Sequence, residues 1–233
     1  MKKTRIANPR KSHVELKTAR GRSASSQRWL RRQLNDPFVL KAQAEGYRGR
    51  AAYKLSELQE KFQILRPGMN VVDIGCAPGG WLQVIKQCTH HGKIIGIDLL
   101  PTEPLKGVVL FQGDAREEEE QRRIWQACEG TVDVVLSDMA AAMSGHAKTD
   151  QVNVSILAET AWDIAEVILA EGGHFACKVF AGGAGEELLQ RLRMNFKRVK
   201  HVKPAASRKE SREMYLVASE RKTKPTLEIE RCL

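Results

Sequence analysis

No apolar run in these 233 residues reaches the length of a membrane span, so no bilayer-crossing helix is expected. Nothing near Met1 resembles the apolar core of a secretory signal, and secretion is not expected either. Cysteine is scarce and poorly arranged for disulfides: Cys76, Cys88, Cys128, Cys177 and Cys232 are odd in number and contain no C-x-x-C pair. They read as reduced thiols in a cytosolic-type compartment. Cys88, His90 and His91 lack the further Cys/His cluster that finger spacing requires, so a helix end and a turn are expected there, and no metal. No internal repeat and no long Pro/Gly/Ser linker interrupts the chain, which makes one domain with an arm the simplest organisation.

Positive charge, in contrast, is concentrated. Residues 1–50 hold fourteen Lys or Arg against Glu15, Asp36 and Glu45, a balance of +11, while the whole chain carries +10, so the remainder is close to neutral. A local basic arm has the electrostatic footprint of a phosphate-backbone binder. Arg28, Arg31 and Arg32 belong to it, and Arg48 and Arg50 carry the charge into a segment that reads as folded. Trp29, Phe38, Tyr47 and Tyr53 offer stacking surfaces for bases. A solvated tail or an Arg- and Ser-rich transit peptide has the same composition, but the continuity of charge into the folded part favours nucleic acid. The chain divides into a basic arm over 1–28, a domain over 29–219 and a tail over 220–233.

The motif with most chemistry is Val71-Val72-Asp73-Ile74-Gly75-Cys76-Ala77-Pro78-Gly79-Gly80-Trp81, an apolar strand that ends in a carboxylate and a glycine turn. Trp81, Leu82, Val84, Ile85 and Cys88 then recur as the apolar members of a helix. Lys93-Ile94-Ile95-Gly96-Ile97-Asp98 follows as a second buried strand with an acid at its end, completing a β-α-β unit suited to a nucleotide-like cofactor. Glycine spacing separates the cofactor classes. A pyrophosphate calls for G-x-G-x-x-G, whereas here Cys76, Ala77 and Pro78 stand between Gly75 and Gly79-Gly80, and Pro78 removes an amide donor. An NAD-dependent oxidoreductase is therefore the weakest candidate. S-adenosyl-L-methionine has no phosphate, and carboxylates suit it better. Asp73 can face its ammonium end, Asp98 can accept from its ribose hydroxyls and Asp114 from its adenine amine, with Leu99 and Ala115 beside them as further cofactor-binding candidates. Any one of these acids alone would be read as a cap; three at the ends of three successive strand-like runs favour the cofactor.

Alternating periodicity predicts the fold class. Ala51 to Phe62 reads as a helix with Leu55, Leu58 and Phe62 on one face, and Pro67-Gly68 breaks the chain before the first strand. Strands are expected near 70–74, 93–97, 107–111, 132–137 and 173–179, with helices near 80–88, 116–127, 151–170 and 185–195. Glu117 to Glu120 reads as the solvated start of a helix, where acids suit the dipole. A Pro-Ala-Ala-Ser-Arg loop and a final strand over Glu213 to Ala218 complete the pattern. Alternation of this kind predicts a doubly wound, mostly parallel α/β sheet that binds ligands at the carboxyl ends of its strands.

Four charged residues then stand out. Asp138 ends the apolar run Val134-Val135-Leu136-Ser137, and Lys178 interrupts a strand otherwise too apolar for a lysine, which is costly there unless paired or neutral. Lys54 opens the helix before the first strand, and Glu213 opens the last strand. In this order and these contexts they resemble the Lys-Asp-Lys-Glu tetrad of RNA ribose 2′-O-methyltransferases, and the chain is most similar to the FtsJ/RrmJ family. The resemblance runs from about Trp29 to Ala218 and includes Gly49-Arg50-Ala51-Ala52-Tyr53-Lys54-Leu55, Gly96 to Pro101, Gln112-Gly113-Asp114, Ser137 to Ala140, Lys178-Val179-Phe180 and Ser207-Arg208 through Glu213. One departure is Ala141-Ala142, where many members have Pro-Asn.

The resemblance implies a seven-stranded sheet of the class I S-adenosylmethionine-dependent methyltransferase, Rossmann-like type. It also implies a large-subunit ribosomal RNA substrate, free or in a pre-50S-type particle, with a uridine of the A-loop as target. Lys203, Arg208 and Arg212 join the arm as candidate RNA contacts, and a cytoplasmic monomer is expected. For the chemistry, Lys178 is the candidate base, with Lys54 lowering its proton affinity and Asp138 and Glu213 orienting the two amines. Other classes stay open: a ribosome-assembly or RNA-remodelling factor on the same scaffold, or a 2′-O-methyltransferase of another RNA. A base methyltransferase would need a Pro-Cys pair or an Asn/Asp-Pro-Pro-aromatic turn, and neither follows Leu136.

Overall fold

Four consecutive residues without solvent exposure, Val71–Ile74, form β1, the strand about which the sheet is wound. In this computed structural model the described residues are 34–182 and 185–223, with Ser23, Ser26, Gln27 and Leu30 before them. β1 pairs in parallel with β2 (Ile94–Asp98) on one side and with β4 (Val132–Ser137) on the other. β3 (Val108–Gln112) extends the first wing, and β5 (Leu169–Phe180), β6 (Phe196–Val202) and β7 (Glu213–Arg221) the second. The order in the seven-stranded sheet is β3-β2-β1-β4-β5-β7-β6, with β7 antiparallel to both its neighbours. Winding reverses between β1 and β4, where open α/β sheets leave a crevice.

Each face of the sheet carries its own core. Val72 and Ile74 point with Trp162, Phe175 and Phe196 into one, covered by α4 (Glu118–Cys128), α5 (Ala147–Ile168) and α6 (Glu186–Asn195). Trp162 packs edge-on against Phe175 and Phe196, each at 5.5 Å, worth about 0.5–1.5 kcal/mol per pair beyond area burial. Val71 points the other way, into a core shared with Leu55, Leu58, Trp81 and Tyr215 under α2 (Ala51–Phe62) and α3 (Gly80–Thr89). By strand alternation Asp73 also faces this second layer.

The expected strands and helices are present with small shifts, and two elements are additional among the described residues. α1 (Pro37–Glu45) is short, but its start is well marked: Pro37 occupies the first turn and Asp36 Oδ1 accepts from Phe38 N at 3.0 Å. β6 escaped because Lys197, Arg198 and Lys200 give an edge strand no apolar alternation, while their charges protect the edge from pairing. α5 begins at Ala147, a turn before the expected 151.

Candidate active site

Register brings the tetrad together. In the β5/β7 pair Lys178 stands opposite Tyr215 and Phe180 opposite Glu213. Period-two alternation puts Lys178, Glu213 and Tyr215 on the α2/α3 face of the sheet, where α2 presents Lys54. Asp138 leaves the end of β4 at the adjoining rim, its N–H donating to Ile74 O at 3.1 Å. Lys54 Nζ lies 2.8 Å from Glu213 Oε1 and 3.9 Å from Asp138 Oδ2. Lys178 Nζ lies 2.8 Å from Asp138 Oδ1 and donates to the Asp138 carbonyl at 2.7 Å and the Met139 carbonyl at 3.3 Å. Burial pushes the Asp138 carboxyl up, but Lys178 and then Lys54 outweigh it and hold it below the usual carboxylate range.

Two clefts of about 500 Å³ each meet at Ala140 and Ala141. The first, at the point where the winding reverses, is lined by Gly75, Ala77, Asp98, Leu99, Asp114, Ala115 and Asp138 among the residues expected to hold a cofactor. Apolar walls come from Ile97, Met139, Ile156 and Leu157. The second is lined by Lys178, Phe180, Met143, Arg212 and Glu213. Lys178 and Asp138 therefore stand in the partition between them. Gly75 builds the first cleft's floor through backbone shape: its φ is +81°, and a Cβ there would lie 2.7 Å from Met139 N.

The remaining cofactor candidates, Asp73, Cys76, Pro78, Gly79, Gly80 and Trp81, are not among the residues that line the first cleft. Asp73 is fully buried and neither carboxylate oxygen has a hydrogen-bond partner. Burial first, then Asp138 and Asp98, push it well above the ordinary value. Cys76 is buried beside Thr102, with 3.6 Å between their side chains. Trp81 is also buried, and its Nε1 donates to Ala51 O at 2.8 Å, which fixes the start of α2 near Lys54. Pro78, Gly79 and Gly80 form the turn itself, with α3 starting at Gly80. Asp98 braces that turn: Oδ2 accepts from Ala77 N and Oδ1 from Leu100 N, both at 2.8 Å. Asp114 is clasped by Arg116, whose Nε lies 2.9 Å from Oδ1; that hydrogen bond outweighs burial and holds the carboxyl below its usual range.

The candidate RNA contacts are placed less as the charge pattern suggests. Arg28, Arg31 and Arg32 lie outside the described residues, as does nearly all of the 1–28 arm and the chain after Thr223. Arg48 is an internal brace, donating to Glu103 O at 2.7 Å, Pro104 O at 2.9 Å and Pro78 O at 3.3 Å. Arg50 is tied to Asp36 and the Ala206 carbonyl, and Arg208 Nε lies 3.4 Å from the same Asp36. Lys203 donates to Ser211 O at 2.7 Å. Arg212 reaches Gln151 Oε1 at 2.6 Å and lies over Phe180, 5.6 Å from the ring centroid, at the second cleft.

Three contributors were not among the candidate site residues read from the sequence. Tyr215 donates to Asp138 Oδ1 at 2.5 Å, Ser207 Oγ donates to Glu213 Oε1 at 2.8 Å, and Glu57 accepts from Ala206 N at 2.8 Å, tying the loop before β7 to α2. Only Tyr215 could have been found, two residues after Glu213 and hence on the same face of the strand.

A parallel sheet wound outward from β1, with one antiparallel strand inserted before the edge and a cleft where the winding reverses, is the architecture of Rossmann-like methyltransferases. The chain belongs to the FtsJ-like methyltransferase family, whose model matches residues 47–221. It is 54% identical over 213 residues to the ribosomal RNA large subunit methyltransferase E of Novosphingobium aromaticivorans, covering 91% of this chain and 96% of that one. Rickettsia bellii has a protein of the same name, 50% identical over 223 residues, covering 93% and 98%. Among solved structures, a ribosomal RNA methyltransferase of Plasmodium falciparum matches with a TM-score of 0.68 and 31% identity, over 76% of this chain and 100% of that one. A fibrillarin/Nop5p complex, at 19% identity and a TM-score of 0.51 over 74% of this chain and 84% of that one, shares the fold alone.

Proposed function

We propose that the protein transfers a methyl group from S-adenosyl-L-methionine to a ribose 2′-hydroxyl of large-subunit ribosomal RNA, a uridine of the A-loop, during ribosome maturation in the cytoplasm. The observation that carries this is the partition: Lys178 and Asp138, braced by Lys54 and Glu213, stand between two clefts of similar size. The relatives' names supply the RNA class.

The first cleft fits the donor. Among the described residues Asp98, Asp114 and Asp138 line it, no lysine does, and the one arginine there, Arg116, is held by Asp114. An acidic, apolar-walled cleft suits a cation without phosphate. Asp98 retains a free lone pair on each oxygen for ribose hydroxyls, Asp138 places negative charge beside a cationic end, and Asp73, whose carboxyl is pushed up by burial, becomes available behind it as a charge that a bound cation would favour. Bound there, S-adenosylmethionine supplies an electrophilic methyl.

The protein's own task is to position an alcohol in the second cleft and remove its proton, since a ribose hydroxyl is a poor nucleophile at neutral pH. Lys178 meets both requirements by reaching the partition from β5. As an ammonium it fills three acceptors; as a neutral amine it keeps the two shorter Asp138 contacts and turns a lone pair to the hydroxyl. Lys54 adds a second positive charge beside Asp138, and Glu213 compensates it.

Transfer of labelled methyl to large-subunit ribosomal RNA from cells lacking the protein tests the proposal, followed by mapping of alkali-resistant linkages. One A-loop uridine should become protected. Label on a base, or no label, would refute it.

A further inference from the structure

Asp138 Oδ1 is a shared acceptor, reached by Lys178 Nζ at 2.8 Å and by the Tyr215 hydroxyl at 2.5 Å. Tyr215 has no solvent exposure; its ring lies 5.7 Å from that of Trp81, centroid to centroid, and Lys54 Nζ is 5.8 Å from its centre. A phenol at that depth needs an acceptor, yet a main-chain carbonyl would serve the fold equally well. Here the acceptor is the carboxylate that grips the candidate base. Direct pairing of Lys178 with Tyr215 across β5 and β7 makes this arrangement a consequence of strand register.

We propose that Tyr215 is a positioning residue of the methyl-transfer site: its hydroxyl fixes the rotation of the Asp138 carboxylate and withdraws part of its charge from Lys178. The inference rests on Lys178 being the proton acceptor, and it states how this site sets the pH at which that acceptor becomes available. Charged groups surround the pair from every packed element: Lys54 from α2, Asp73 from β1, Asp98 beyond it on β2, Lys178 from β5 and Glu213 from β7. Burial first, then Asp138 and Glu213, push the Tyr215 phenol well up, so it stays protonated and remains a donor. A charge-assisted O–H···O⁻ bond of this length draws electron density from the oxygen that Lys178 also uses. Lys178 therefore shares Asp138 Oδ1 with a second donor, and less of that oxygen's charge is directed at the amine.

Single-turnover methylation of ribosomal RNA across pH distinguishes this role from simple packing. Tyr215→Phe keeps the ring against Trp81 and removes only the hydroxyl, so S-adenosylmethionine affinity should stay near wild type. Its rising limb should move to higher pH by about one unit, read as a roughly tenfold lower rate on that limb, with the two profiles converging at high pH. Site-specific 3-fluorotyrosine at 215 keeps the hydroxyl and makes it a stronger donor, and it should move the limb the other way. A midpoint that stays put in both variants, or moves the same way in both, overturns the inference. A wild-type protein that methylates no ribose, or whose rate is flat with pH, overturns the base assignment and this inference with it.

Discussion

Lys178 Nζ is held by Asp138 twice, through Oδ1 at 2.8 Å and through the main-chain carbonyl at 2.7 Å. The double grip fixes the amine against the end of β4 while leaving its weakest contact, Met139 O at 3.3 Å, as the one to exchange. A base that must give up one hydrogen bond to act is positioned before substrate arrives, and little reorganisation is left for the transition state.

Lys178→Ala should therefore abolish most turnover while S-adenosylmethionine and RNA still bind, because the loss falls on the transition state. A single-turnover rate lower by ~10²–10⁴-fold is expected. Lys178→Arg should be nearly as damaging, since a guanidinium does not become a base near neutral pH. An active arginine variant would leave Lys178 as an electrostatic positioner.

The sheet was legible because its central strands are largely buried and read as apolar runs, each with a chemically distinctive residue at or near its carboxyl end: Asp73, Asp98, Ser137-Asp138, Lys178. Sequence order and strand ends thus exposed the tetrad before its geometry was known. The partners of the arginines within the fold were not legible. Arg48 and Arg50 look like RNA contacts in a basic stretch, yet their partners are a carboxylate fourteen residues upstream and carbonyls from loops 30 to 156 residues downstream, pairings that no local pattern encodes. Trp81 shows the converse: an aromatic in a cofactor motif whose indole N–H is committed to Ala51 O.

Asp98 braces the glycine turn, a role invisible in the sequence, besides the cofactor role proposed for it. Asp98→Ala should weaken S-adenosylmethionine binding by roughly 1.5–3 kcal/mol, as for loss of a charge-assisted hydrogen bond. It should also lower the melting temperature of the cofactor-free protein, because Ala77 N and Leu100 N lose their acceptor. Calorimetry and thermal melts separate the two; unchanged affinity in a folded variant would remove Asp98 from the site.

Basic residues should divide into two kinds when salt is varied. Deleting residues 1–28 should flatten the dependence of RNA affinity on salt, since a phosphate that the arm no longer neutralises keeps its counterion, and should leave cofactor affinity intact. Arg48→Ala should do the reverse: its three carbonyl partners span the glycine turn and the loop after β2, so about 1–3 kcal/mol of stability and some cofactor affinity go, with the salt slope unchanged. An unaltered slope in the deletion would make the arm a tail or targeting segment.

Asp73 is the group whose pH behaviour should be easiest to isolate, because it is buried, unpartnered and flanked by two other acids. Its carboxyl is pushed well above the ordinary 3.8, first by burial and then by Asp138 and Asp98. Between 3.8 and that raised value the folded state keeps a proton that the unfolded state releases, so Asp73 makes stability fall as pH rises through this window. Asp73→Asn removes the titration. Melts of the cofactor-free proteins should therefore separate with rising pH, the variant exceeding wild type near neutrality. Affinity for S-adenosylmethionine should move the opposite way, since the variant cannot place a negative charge behind the donor's cationic end, a trade of stability for function common at binding sites. Parallel melting curves across pH would mean that Asp73 is compensated in the folded state, and unchanged affinity would mean that its charge plays no part in binding.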